Sequence, residues 1–214
     1  MLWSSLILLN CTRNWTRNFK NSILGYMTCI VALINDNKVL LGGDAAASDD
    51  KSGLIFQRTD TKVFKVGQFG IGFVDSFRMG QILQYYWTPP VYKPTAGYRN
   101  LDKFIRTKFV ESVKDTFKEY GYGNFSQGTE EGDQGGVFII AVQGAGRIFT
   151  MDTDFHIAEC DVPYMAEGAG QELALGSLFS TSTVKTPRKR VRMALEAAAK
   201  FNMSVRPPFT IIEV

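Results

Sequence analysis

The sequence predicts an α+β fold in which two mostly antiparallel sheets are stacked between two layers of helix. Three observations lead there. Apolar runs of strand length come in pairs joined by short turns, as hairpins do. Two pairs of helical segments are segregated from those runs, and each pair needs a sheet face to cover. The chain has 214 residues, 45% hydrophobic and 21% charged, enough to bury the interior such a sandwich requires. Twenty glycines and sixteen phenylalanines point to tight turns around an aromatic-rich core.

The regular pattern begins at Thr28. "TCIVALI" and "KVLLGGDAA" read as two strands joined by Asn35-Asp36-Asn37, and "TKVFKVG" and "QFGIGFV" as a second hairpin around Gly67-Gln68. Asp75 or Ser76 then caps a helix over "FRMGQILQYYW", which stops at Thr88-Pro89-Pro90. A loop with Pro94 and Gly97 leads into a helix from Leu101 to Tyr120, with Phe104, Ile105, Phe109, Val113 and Phe117 on one face. Residues 121–136 are rich in Gly and polar residues and read as a surface loop. Strands resume with "GVFIIAVQ", "RIFTMD" and "FHIAEC". Helices follow from Gln171 to about Ser180 and from Pro187, suited to a first turn, to Phe201. "FTIIEV" closes the chain as a strand. The expected order is four strands, two helices, about three strands, two helices and one strand, in one domain over residues 28–214.

Residues 1–27 stand apart. "MLWSSLILLNC" is apolar but short, without a positive start or a small-residue cleavage site, and "NCTRNWTRNFKNS" has no clear period. They read as an extension: a propeptide, or a start that overshoots the real one at Met27. No apolar run reaches the length of a membrane span. A net charge of +3, scattered apart from Lys185 to Arg192, argues against a nucleic-acid or membrane surface. Three cysteines, Cys11, Cys29 and Cys160, form no disulfide framework, so a reducing, cytoplasmic setting is expected and the Asn-X-Ser/Thr sequons carry little. A single histidine, His156, and the absence of zinc-like spacing lead to the expectation of no metal and no cofactor.

"MT-IV" opening the first strand, "GGD" ending the second, "TDTKVFK", "GIGFVDSF", "EGAGQELALGSL" and "RPPFTI" together resemble the proteasome β-subunit family. The likeness is nearest to the simpler bacterial and phage-type peptidases that partner a ring ATPase, and it runs from Thr28 to the C-terminus. It implies the four-layer αββα sandwich of the N-terminal nucleophile hydrolases. It also implies a self-compartmentalising threonine-type endopeptidase: a homo-oligomeric ring, fed unfolded polypeptide by a separate ATPase, since this chain has no Walker-type glycine loop.

The chemistry of such a site explains why Thr28 would have to be terminal. A threonine hydroxyl is a weak nucleophile and needs a base within hydrogen-bond reach. A free α-amino group, with a pKa of roughly 7.7–8.0, can accept that proton, and only a chain end carries one beside its own side chain. The resemblance assigns Asp44 as the supporting carboxylate, Lys62 (rather than Lys65) as the cation by the nucleophile, and Gly72 as the backbone donor to the oxyanion. It offers Ser204 as a further member of the network. Ala47, Gly70 and Val74 would line an apolar pocket for the side chain before the cut bond. Departures from the family pattern are Ala169, where a serine often supports the terminal amine, and Phe201, where proteasomes carry an aspartate. Met27 stands where a propeptide usually has glycine. A catalytically silent assembly subunit and a hydrolase of small amides are the competing functions. Cys29 reads as core packing, because cleavage before it would delete Thr28.

Overall fold

The computed structural model describes residues 28–49, 54–93, 98–122 and 136–214. The proposed extension over 1–27 and most of the glycine-rich loop lie outside them.

The first hairpin is β1 (Ile30–Asn35) and β2 (Lys38–Gly43), with Asp36 at φ 56° in the turn. It forms the middle of a four-stranded sheet. On the outside of β1 lies β10 (Tyr164–Glu167), and on the outside of β2 lies β11 (Thr210–Glu213). All three pairings are antiparallel. The second sheet runs in chain order through β5 (Val63–Val66), β6 (Phe69–Val74), β7 (Val137–Val142), β8 (Ile148–Met151) and β9 (Ile157–Glu159), again antiparallel throughout. Three strands were not expected. Residues 46–57 contribute a separate hairpin of β3 (Ala46–Asp49) and β4 (Leu54–Gln57), and "YMAE" supplies β10. All three are short, and β4 is exposed or half-exposed along its length, so none shows the apolar run by which buried strands are recognised.

Ser76 caps α1 (Phe77–Tyr85), its hydroxyl accepting the Met79 N–H at 3.2 Å. The helix expected from Leu101 starts earlier, as α2 (Tyr98–Phe104). It passes through a π-helical turn at Ile105–Phe109 and continues as α3 (Val110–Glu119). Ile105 and Phe109, at the two ends of that turn, are both fully buried in the core. The last helices are α4 (Gln171–Ser180) and α5 (Pro187–Phe201).

Three apolar layers hold these elements together, and they differ in character. Helices α1 to α3 pack on the five-stranded sheet through rings: Phe64, Phe69, Phe73, Trp87, Phe109 and Phe117 lie in one cluster. Phe69 meets Phe109 edge-on at 5.0 Å between centroids and Trp87 at 5.8 Å. Helices α4 and α5 pack on the four-stranded sheet through small and aliphatic groups, among them Ala174, Val191, Ala194, Leu195 and Ala198. Between the sheets lie Ile30, Ala32, Leu41, Val63, Ile139 and Val214. This is the four-layer sandwich expected from segregated helices and hairpins, each apolar face covered by another. On α1 and just after it, Met79, Ile82 and Trp87 are buried, while Tyr85 and Tyr86 are exposed.

Candidate active site

One end of the sandwich gathers three polar side chains that its interior would otherwise exclude. Thr28, Asp44 and Lys62 are 2%, 3% and 1% exposed. Thr28 immediately precedes the first sheet, Asp44 follows β2 in the same sheet, and Lys62 enters β5 of the second sheet. Stacking the sheets brings the three together across the sandwich. Lys62 Nζ donates to Thr28 Oγ1 at 2.9 Å and to Asp44 Oδ1 at 2.8 Å.

Asp44 is the hub. Its Oδ1 also accepts the Cys29 N–H at 3.0 Å, and its Oδ2 accepts the N–H groups of Ala46 at 2.9 Å and Arg206 at 3.2 Å. One carboxylate thus ties the start of β1, the β3 hairpin, the entry to β5 and the approach to β11. A buried ammonium is tolerable only with such a partner. Burial pushes the pKa of Lys62 down, and the Asp44 carboxylate opposes that shift. Arg58 adds a further downward push. Cys29 is fully buried, and desolvation raises its thiol far above the usual range, which suits packing and not nucleophilic attack.

The turn after β10 closes the other side. Gly168 sits at φ +96°, and a Cβ there would stand 2.4 Å from the Thr28 carbonyl oxygen, so only glycine fits. Gly170 N–H donates to that same oxygen at 3.3 Å. Asn202, at the end of α5, donates from Nδ2 to Ala169 O at 2.7 Å and accepts the Ser204 N–H on Oδ1 at 2.8 Å. Asn202 therefore locks this turn in place, a role the sequence did not signal. Ser204 itself makes no hydrogen bond to Thr28 among the described residues. Its place in the network is behind Asn202, two residues before the Arg206 N–H that grips Asp44.

Gly72 is not placed to stabilise an oxyanion. Phe73 N–H donates to Lys62 O at 3.1 Å, so by the alternation of an antiparallel strand Gly72 points its N–H the other way, into the ladder with Ile139 on β7. Its missing side chain accommodates Ile30, whose Cγ2 would lie 2.5 Å from a Cβ. Gly70 is likewise a packing glycine: a Cβ there would meet Val214 at 2.3 Å and Leu41 at 2.9 Å, deep between the sheets. Val74 does border the site, with Cγ1 3.0 Å from a Cβ built on Gly168. Ala47 is buried in β3 beside the Asp44 loop.

The strand alternation that removes Gly72 points to Asp75. Ser76 N–H donates to Val74 O at 3.0 Å, and Asp75 between them has φ 71°, a γ-turn held by a residue with a side chain. Continued past the end of β6, the alternation puts the Asp75 N–H on the side of the sheet that Phe73 N–H faces. Backbone strain of this kind gathers at functional sites. The Asp75 carboxyl turns toward a cavity of about 480 Å³ lined also by Val74, Asp152, Glu167, Gly168 and Ala169. Burial first, and the neighbouring Glu167 and Asp152 carboxylates next, push Asp75 up to about 7. Glu167 is raised in the same way, by burial and then by Asp152.

The folded state therefore holds the Asp75 proton more tightly than the unfolded chain, whose carboxyl titrates at 3.8. Stability falls as pH rises between roughly 4 and 7. Asp75→Asn is expected to remove that loss, raising the melting midpoint by roughly 2–4 °C at pH 8 and leaving it unchanged at pH 4. Thermal melts at the two pH values check it; an equal shift at both would mean that the carboxyl is not the cause.

No protein-family model matches the sequence, and no curated protein does. Solved structures do match. Among them are Thiobacillus denitrificans BPH in complex with epoxomicin (17% identity, TM-score 0.67, covering 87% of this chain and 98% of that one). Eukaryotic HslV from Trypanosoma brucei follows at 14% identity and TM-score 0.61, covering 87% and 98%. The helical Anbu assembly from Pseudomonas aeruginosa matches at 17% and 0.60, covering 87% and 81%. The fold is that of the proteasome-like N-terminal nucleophile hydrolases.

Proposed function

We propose that this chain is a threonine-type peptidase of the proteasome kind, with Thr28 as nucleophile once residues before it are removed. One observation carries the proposal: the hydroxyl of Thr28 lies 2.9 Å from a buried lysine that is itself fixed by a buried aspartate. A structural lysine has no need of a threonine hydroxyl at the closed end of a sandwich. The general likeness to BPH and HslV supports the same chemistry.

In the mechanism, the free α-amino nitrogen of Thr28 takes the proton from Oγ1 as that oxygen attacks an amide carbonyl. The Lys62 ammonium, beside Oγ1, keeps the local proton affinity low and stabilises the developing charge. The Asp75 N–H, in place of Gly72, faces the oxyanion, a contribution of about 2.7–4 kcal/mol where such donors have been removed. Collapse expels the leaving amine, which takes the proton from the α-ammonium and leaves an ester on Thr28. Water, activated by the same nitrogen, hydrolyses that ester. Ala169 offers no hydroxyl to the amine, so its support comes from backbone carbonyls and water around the Gly168–Gly170 turn. Assembly into a ring, delivery by a separate ATPase and unfolded polypeptide as substrate complete the proposal; among the described residues no helix is long and apolar enough to cross a membrane.

With residues 1–27 attached, the Thr28 nitrogen is an amide and has no basicity. This favours a second reading, a silent assembly subunit that keeps the fold. Mass spectrometry of the expressed chain, with and without an epoxyketone probe, separates the two. The peptidase gives a chain beginning at Thr28 that gains the mass of the probe there. A stable full-length chain that never labels, even when produced to begin at Thr28, supports the silent subunit.

A further inference from the structure

The entry to β5 carries a second charged pair that the proposed chemistry does not use. Arg58 binds Asp60 in the two-pronged manner of a guanidinium on a carboxylate, Nε to Oδ1 at 2.6 Å and Nη2 to Oδ2 at 2.5 Å. Arg58 first, and to a small extent Gln81 of α1, hold the Asp60 carboxyl below its usual range. The Arg58 guanidinium carbon stands 4.3 Å from the centroid of the Phe77 ring, at the start of α1. The centroid of that ring is 5.7 Å from Lys62 Nζ, the atom that touches the Thr28 hydroxyl. Arg58 N–H is anchored on Ala45 O at 2.8 Å, next to Asp44. Chain and side chain are thus both fixed, yet Arg58 and Asp60 keep side-chain exposures of 31% and 35%.

From these contacts we infer that Phe77 and Arg58 receive the substrate side chain just before the cleaved bond, and that Arg58 selects acidic residues there. The inference rests on the proposed peptidase reading. A carbonyl attacked by Thr28 Oγ1 brings its own side chain alongside Lys62, where Phe77 offers an apolar face. Beyond that face stands the guanidinium. Both Asp60 oxygens are taken up by Arg58, so they offer little to a ligand. The Nη1 donors of Arg58 remain directed away from the pair, and a carboxylate is the group that two such N–H bonds fit. An incoming lysine or arginine would meet Arg58 and Lys62 together, like charges in a half-buried setting. The pocket that Ala47, Gly70 and Val74 were expected to make apolar is, on this side, aromatic and cationic.

The experiment uses the chain beginning at Thr28 and fluorogenic peptides that differ only in glutamate, leucine or lysine before the cut. Glutamate is expected to be preferred over leucine by about tenfold in kcat/KM, the worth of one charged hydrogen bond. Arg58→Met should remove that preference, lowering kcat/KM for glutamate about tenfold more than for leucine. Equal losses on all three peptides, or a leucine preference in the unaltered chain, overturn the inference while leaving the peptidase intact. Calorimetry on the Thr28→Ala protein gives a readout free of turnover. A glutamate-terminated peptide should bind about tenfold tighter than its leucine counterpart, and Arg58→Met should equalise them. Absence of turnover and labelling together with selective binding would sink the peptidase and keep the acidic site; unselective binding sinks the site.

Discussion

In a chain that begins at residue 28, Thr28→Ala is expected to lower peptide turnover by at least about a thousandfold, the scale of losing a nucleophile that acts as one unit with its base. Thr28→Ser should keep a measurable part of the rate, because the attacking oxygen and the adjacent amine survive. The fold should persist in both. Thr28 precedes β1, its carbonyl still accepts Gly170 N–H, and Lys62 retains Asp44. Steady-state hydrolysis of a fluorogenic peptide, with circular dichroism to confirm folding, measures the effect. Turnover that survives in the alanine variant would place the nucleophile elsewhere.

The second large effect is on stability and does not depend on any catalytic role. Asp44→Ala removes the carboxylate paired with the Lys62 ammonium, buried at 1% exposure, and frees three backbone N–H groups that the carboxylate accepts. Removing one partner of such a pair costs about 3–5 kcal/mol, which for a domain of this size is a large fraction of the total. Lys62→Met strands the opposite charge but leaves those three bonds in place, so its cost should be smaller. The double variant Asp44→Ala with Lys62→Met should lose less than the sum of its parts, because the pair is then removed together. Urea titrations of the four proteins give the comparison. A loss below about 1 kcal/mol for Asp44→Ala would mean that water reaches the pair.

The layers were legible because each is written in a local pattern. Alternation and turn residues gave the hairpins of β1–β2 and β5–β6. The three-to-four spacing of Phe104, Ile105, Phe109, Val113 and Phe117 gave the long helix, though not its π-turn at Ile105–Phe109. Strands β3, β4 and β10 escaped because a short strand completed by a neighbour needs no apolar run of its own. Thr28, Asp44 and Lys62 stood out by their positions against a family pattern and are brought into contact. Gly72 and Gly70 drew attention for the same reason and answer to packing, since each leaves room for a side chain of the facing sheet. A glycine in a sequence does not say whether its missing side chain admits a substrate or an isoleucine. Asn202 and Arg58 carried no local signal, and Asp75 and Phe77 stood out only at the start of a helix.

What the sequence determined by itself was the inventory of elements and their covering faces, since period and turn chemistry act within a few residues. The meeting of Lys62 with Thr28 and Asp44 was decided only by the stacking of two sheets. So was the direction of each N–H along β6, which depends on which neighbour a strand pairs with and turns the Gly72 N–H into the ladder with β7. Such contacts join residues far apart in the chain, and their energy comes from excluding water between layers, a quantity no single segment contains.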